Sequence, residues 1–460
     1  MSLKSIVEVN MMNKTLHIGV AAMVSASLLI GGFTQEGGIQ PVGASSSSKS
    51  VQQNLIQSIA SQAKPFKTTD PARSLDDLKP LKNMIGSARY VGLGESTHGS
   101  SEIFNMKFRI VKYLVTEMGF TNFGLEEDWG VGLKVNEYIQ TGKGDPRKLL
   151  RLLYPTDEHV AMLKWMKDYN ANPANKKKIQ FVGLDLKALD ETVFNKVINY
   201  VKQHHPEVLD EVKINYTELA KASGNLQGYV KLTPEERKSF NEQAKKVVKL
   251  LDDVTKQGSA ESNTSELVWV KATARVIENF TAMTTPNDYT GLIKLHEQYL
   301  ADNVIWAQKA LGGKTIFSGH NTHVAKGIVD KKLYPYVAGK MLKERLGDQY
   351  VIMGSTTSEG KFTLYREYDP NTGKGKLSTY EIPKNVNSFN YTLGKVSYDK
   401  YLLDLRHLSG RTKRWVQEKR KILSAGAQVF SKDDLYYDAS LKEQFDIIFH
   451  IRKTSPSHIK

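Results

Sequence analysis

The sequence predicts an α/β fold: a mostly parallel central sheet flanked by helices, with a helical insertion and a C-terminal α+β portion. Three observations carry that prediction. Short apolar runs alternate with helical periodicity from residue 87 onward, and strands separated by helices of this length pair in parallel. Residues 190–280 are rich in Lys and Glu at helical spacing, which reads as helices inserted between core strands. Beyond residue 350, strand-like runs mix with Gly- and Asn-containing turns such as 370–375.

The elements follow in order. Residues 1–44 read as a signal peptide, because Lys14 precedes a short apolar run, 16–33 (LHIGVAAMVSASLLIGGF), and Val42-Gly43-Ala44 offers small residues for cleavage. Residues 45–72 read as a polar linker. The first half of the core, 73–188, opens with a strand at 87–93 (SARYVGL). A helix at 101–118 follows, with Ile103, Phe104, Met106, Ile110, Leu114 and Val115 on helical spacing and Gly119 as its C-cap. A strand at 122–125, a helix at 132–140 and a strand at 178–186 (KIQFVGLDL) complete this half. Residues 189–285 form the insertion. The second half, 286–356, holds a helix at 298–311 and strands at 314–318 (KTIFS) and 350–355. The C-terminal portion, 357–460, carries a strand at 445–451 and a basic stretch, 406–421, read as the solvated face of a helix.

Composition narrows the function. The chain lacks cysteine, which excludes disulfides, thiolate metal sites and cysteine nucleophiles. Lys and Arg exceed Asp and Glu by 64 to 49, a formal charge of +15. Residues 1–44 hold Lys4, Lys14, Glu8 and Glu36, so the exported chain keeps that charge. Such an excess favours an anionic surface, here a cell wall or acidic polysaccharide. Nucleic acid is the poorer partner, because export separates the chain from it.

Ligands of open α/β sheets bind outside the carboxyl ends of the strands. The polar residues that follow the apolar runs are therefore the candidates: Gly94-Glu95-Ser96-Thr97-His98-Gly99, Glu126-Glu127-Asp128, Asp185, and Gly319-His320-Asn321-Thr322-His323. If the strands are parallel neighbours, their tips bring carboxylates and three histidines into one cleft. Charge buried there is expensive unless it is paired or used.

Three chemistries suit such a cluster. A metal hydrolase would use Glu95, His98, His320 and His323 as ligands, but glycines put Glu95-x-x-His98 on a turn, and His320-x-x-His323 lacks the i, i+4 spacing of a helical zinc motif. A serine hydrolase would use Ser96, yet His98 stands where a nucleophile elbow needs glycine. The third chemistry needs neither metal nor cofactor: His98 activates a water for attack on an ester, with Glu95 and Glu126 orienting it. Lys107 and Arg109, on the following helix, would offset the developing oxyanion.

These residues together resemble the erythromycin esterase family. The likeness lies in Gly94–His98 as G-E-x-x-H, Glu102-Ile103-Phe104 leading to Lys107 and Arg109, and the stretch from Gly119 to Glu126. It continues in Gly183-Leu184-Asp185-Leu186, Tyr299-Leu300-Ala301-Asp302-Asn303-Val304 and His320-Asn321-Thr322-His323. The resemblance implies hydrolysis of a carboxylic ester, the macrolide lactone in named members, with a small ester or lactone as partner. It implies His98 as the base and Glu95, Glu126, His320 and His323 as active-site partners, the two later histidines and Asp185 on the substrate side. The basic position of the first helix falls on Lys107, with Arg109 two residues on. Some relatives carry the label succinoglycan biosynthesis protein.

Overall fold

A computed structural model describes residues 46–151, 154–256, 265–329, 331, 334–369, 374–426 and 435–459. The expected signal peptide and the heart of the turn at 370–375 lie outside the described residues. The segment expected to be a polar linker builds a helix, Ser46–Gln62, and a two-residue strand β1, Lys64–Pro65. Leu55, Ile59 and Ala63 recur every four residues, and Ile59 is fully buried in the main core, so one apolar stripe is enough to dock the helix.

The remaining strands are β2 Tyr90–Glu95, β3 Phe120–Asp128, β4 Gln180–Asp185, β5 Lys314–His320, β6 Tyr350–Asp369, β7 Lys374–Glu381, β8 Lys400–Asp404, β9 Arg420–Leu423, β10 Tyr436–Ala439 and β11 Ile447–Thr454. The large sheet runs β1-β8-β11-β6-β2-β5-β3-β4, with β7 on the extension of β6 and β9–β10 a separate ribbon. Every pair from β11 through β6, β2, β5 and β3 to β4 is parallel. Among the described residues, β1, β7 and β8 are the strands that join it antiparallel. The mostly parallel α/β sheet is thus as expected.

Alternate residues of one strand enter opposite cores. Val91 and Leu93 of β2 and Ile316 of β5 pack with the helix Ser101–Met118 (α1) on one face. Tyr90 and Phe317 pack on the other face with the helix Tyr289–Leu311 (α2) and the insertion. Burial on both faces is the reason these strands read as continuous apolar runs rather than alternating ones. The helix α1 has the predicted bounds, and Gly119 closes it at φ 72°, a left-handed cap that suits glycine. The insertion forms helices Glu191–His204, Leu209–Ala222, Pro234–Lys256 and Ser265–Met283. The basic stretch differs from expectation: only Gly410–Trp415 is helical, and Arg420 and Lys421 begin β9.

Candidate active site

The chain order β2-β5-β3-β4 brings the four candidate strand ends side by side. β2 delivers Glu95 and, one turn later, His98. His98 Nδ1 lies 2.7 Å from Glu95 Oε1, and the Lys107 ammonium pairs with Glu95 Oε2. Tyr154 donates its hydroxyl to Glu95 Oε1 at 3.3 Å and sets its ring edge-on to His98. Burial alone would raise the Glu95 carboxyl, but Lys107 and then His98 outweigh it and hold the group well below the usual carboxylate range. Glu95 is therefore an anion with its charge aimed at His98. An imidazole that gives Nδ1–H to a carboxylate keeps its basic lone pair on Nε2.

Lys107 and Arg109 part company on α1. Two residues of a helix are separated by about 200° of rotation, so the two side chains leave opposite sides. Lys107 faces Glu95. Arg109 is fully buried among the 68–77 segment, with Asp77 Oδ1 at 2.7 Å and bonds to the carbonyls of Thr68 and Ser74. The expectation that Arg109 serves the catalytic cleft is corrected: it fastens the segment ahead of β2.

At the end of β3 the register to β4 slips between Leu125 and Asp128. A bulge there re-aims side chains and sends neighbouring carboxylates to different partners. Glu126 turns to β5, where its Oε2 accepts the His320 amide N–H at 2.8 Å. This approach requires Gly319, because a Cβ there would stand 2.9 Å from Glu126 Oε2. Glu127 instead accepts the backbone N–H groups of Arg151 and Asp128. Burial and then the Asp128 charge push the Glu127 carboxyl upward.

His320 caps the four-residue helix Asn321–Val324. The Thr322 amide N–H points to its Nδ1 at 3.5 Å. Thr322 Oγ1 stands nearer the same nitrogen, at 2.8 Å, and in the tautomer whose Nδ1 accepts from both groups Nε2 carries the ring proton. That Nε2 is buried without a partner, and the ring centroid lies 4.9 Å from that of His98. Burial, then the neighbouring His98, hold His320 well below its ordinary value, so it is neutral. His323, three residues on, has Glu297 Oε1 and Oε2 at 3.0 and 3.2 Å from Nδ1 and Glu126 Oε1 at 3.4 Å from Nε2.

Asp185, at the end of β4, lies 2.6 Å from Lys187 Nζ and 2.7 Å from His296 Nε2. It stands behind Glu126 and Lys187, and both of its charged partners come from protein. The expected grouping of Glu95, His98, Lys107, Glu126, Asp185, His320 and His323 is therefore found, and Arg109 is the exception. Strand-end reasoning missed Tyr154, Lys187, His296, Glu297 and Tyr334. Lys187 was within reach of that rule, two residues past Asp185. His296 and Glu297 lie on α2, whose start was placed nine residues too late, at 298 rather than 289.

Among the described residues, no group of three or more His, Asp or Glu is arranged to hold a metal ion.

A family model described as erythromycin esterase matches residues 115–454. The chain belongs to the erythromycin esterase family. Membership makes it a relative of hydrolases that act on small molecules. The Escherichia coli erythromycin esterase type II is 26% identical over 424 residues, covering 86% of this chain and 96% of its own length. A crystal structure described as a succinoglycan biosynthesis protein is 62% identical, with TM-score 0.83 over 89% of this chain and 99% of that one. A Bacillus cereus protein is 38% identical with TM-score 0.84 over the same shares. A mutant erythromycin esterase in its open conformation has the same fold at 18% identity, TM-score 0.67, over 85% of this chain and 98% of that one.

Proposed function

We propose that this family member hydrolyses a carboxylic ester or lactone with a water activated by His98, without a resident metal. The observation that carries the reading is the buried Glu95–His98 pair, 2.7 Å apart, with the partnerless Nε2 of His320 across from it. Glu95 orients the His98 ring and stabilises the imidazolium it becomes. His98 Nε2 takes a proton from water as the water oxygen attacks the carbonyl carbon. The tetrahedral oxyanion is met by His320 Nε2–H and by the Lys107 charge. Collapse breaks the carbonyl carbon–alkoxy bond, and His98 returns its proton to the leaving alcohol, so one water and one ester give one acid and one alcohol. A preorganised neutral donor costs no reorganisation as charge develops.

We further propose that the reaction takes place outside the membrane, a reading supported by the signal-like run at 16–33, with the +15 charge holding the enzyme near an anionic wall. N-terminal sequencing of exported protein tests this; a mature chain that still begins before residue 16 would remove it. The substrate class is tested by turnover of macrolides, simple lactones and acyl esters by the full-length chain. Hydrolysis of at least one class is expected, and silence across the whole panel would overturn the ester reading.

A further inference from the structure

Five buried side chains and the partly buried Lys187 close a ring of alternating charge beside His320. Asp185 binds His296 at 2.7 Å, and His296 Nδ1 reaches Glu297 at 3.1 Å. Glu297 holds His323 at 3.0 Å, and His323 Nε2 stands 3.4 Å from Glu126. Lys187 returns from Glu126, at 3.6 Å, to Asp185, at 2.6 Å. Three carboxylates thus alternate with three cations drawn from β3, β4, the residue pair after it, α2 and the helix after β5. Each histidine has a carboxylate at both nitrogens. A neutral imidazole would turn one lone pair onto an anion, so both rings carry two protons.

We infer that Glu297 is the positioning residue of this site: it holds His323 as an imidazolium, and through His323 it fixes Glu126 and the end of β5 that carries His320. Glu297 has no exposed surface, and it also accepts the Tyr334 hydroxyl at 2.5 Å and the Ala338 amide N–H at 2.7 Å. The groups that face His323 are Glu126 from β3, Glu297 and His296 from α2, Lys187 after β4, Tyr334, and His320 at the end of β5. The cation at His323 is one of the charges that keep His320 neutral, which is the form the proposed reaction needs. In that respect the inference rests on the functional reading, although the ring itself does not.

Charge balance predicts the effect of breaking the ring. Glu297→Gln leaves three cations against two carboxylates in a buried place, so one proton must leave. His323 yields it, because its remaining carboxylate is at 3.4 Å whereas His296 keeps Asp185 at 2.7 Å. The test is long-range ¹⁵N NMR of the imidazoles at pH 8 in the full chain, with His323 assigned by a His323→Gln variant. The expected result is two imidazoliums, His296 and His323, in wild type, and a neutral His323 in Glu297→Gln. On a responsive ester, kcat of Glu297→Gln should fall about 10- to 100-fold, as when the outer partner of a site histidine is removed, with KM little changed and Glu297→Asp partly restoring the rate. A neutral His323 in wild type overturns the inference, and so do two surviving imidazoliums in the variant. If Glu297→Gln does not fold, the wild-type spectrum decides alone. If no ester is turned over, the functional reading falls while the spectra still judge the ring.

Discussion

The two halves of the cleft use charge in opposite ways. At the end of β2, Glu95 serves one histidine and one lysine, and His98 keeps a nitrogen uncommitted. At the ends of β3, β4 and β5, every charged group of the ring has two partners of opposite sign. A closed set of charges has no proton to lend, whereas an open pair does. The comparison teaches that a histidine cluster is not read by counting histidines: the proposed base is the one with a free lone pair, and those caught between carboxylates are the ones proposed to hold the frame.

Variants that separate the halves should separate activity from stability. The largest expected effect is on rate: Glu95→Gln keeps the shape but loses the anion that orients and supports His98, for a fall of about 10²–10⁴-fold in kcat, measured on the best substrate of the panel. On the ring side, Glu297→Ala removes the carboxylate shared by His296 and His323 and breaks both buried pairs, a change that costs about 3–5 kcal/mol; urea unfolding measures it, and a loss below about 1 kcal/mol would mean the ring does not close in solution. Arg109→Ala should cost about 3 kcal/mol by stranding Asp77, yet leave kcat per folded molecule unchanged, which a loss of rate alone would contradict.

The smallest effect within the working range is on pH. In His296, burial opposes the charge, but Asp185 and then Glu297 raise the group to about 10. A raised histidine contributes stability fully below its unfolded value, about 6.5, and loses it as pH rises through the folded value. Glu297 and Asp185 are depressed, Glu297 by His323 and Asp185 by Lys187, against burial. Their contribution is present above the unfolded value, about 4, and is lost as pH falls. The thermal unfolding midpoint should therefore be highest between about pH 5 and 6, fall as pH rises from about 6.5 towards 10, and fall again below about 4; a midpoint that stays level or rises between about pH 6.5 and 9 would place a neutral histidine in the ring.

Much of this was legible in the sequence because strand tips are short-range features. Glu95, Glu126, Asp185 and His320 each follow an apolar run directly, so the parallel order of four strands was enough to bring them together. The bounds of α1 were equally legible, since its apolar spacing and Gly119 agree. The division between Lys107 and Arg109 was not, because it depends on which side of α1 meets β2. Glu297 escaped because it sits in mid-chain on a helix and gains its partners, Tyr334 and Ala338, only through tertiary packing. The helix at Ser46–Gln62 was hidden by its serines, which mask a single buried stripe.

The most direct test of the central claim is kcat/KM of His98→Asn beside wild type on one ester or lactone that the wild type hydrolyses, with equal unfolding midpoints as the control for structure. Asparagine cannot take the proton, so a fall of about 10²–10⁴-fold is expected. A variant that keeps its fold and hydrolyses within about threefold of wild type would contradict it and remove His98 from the base's place.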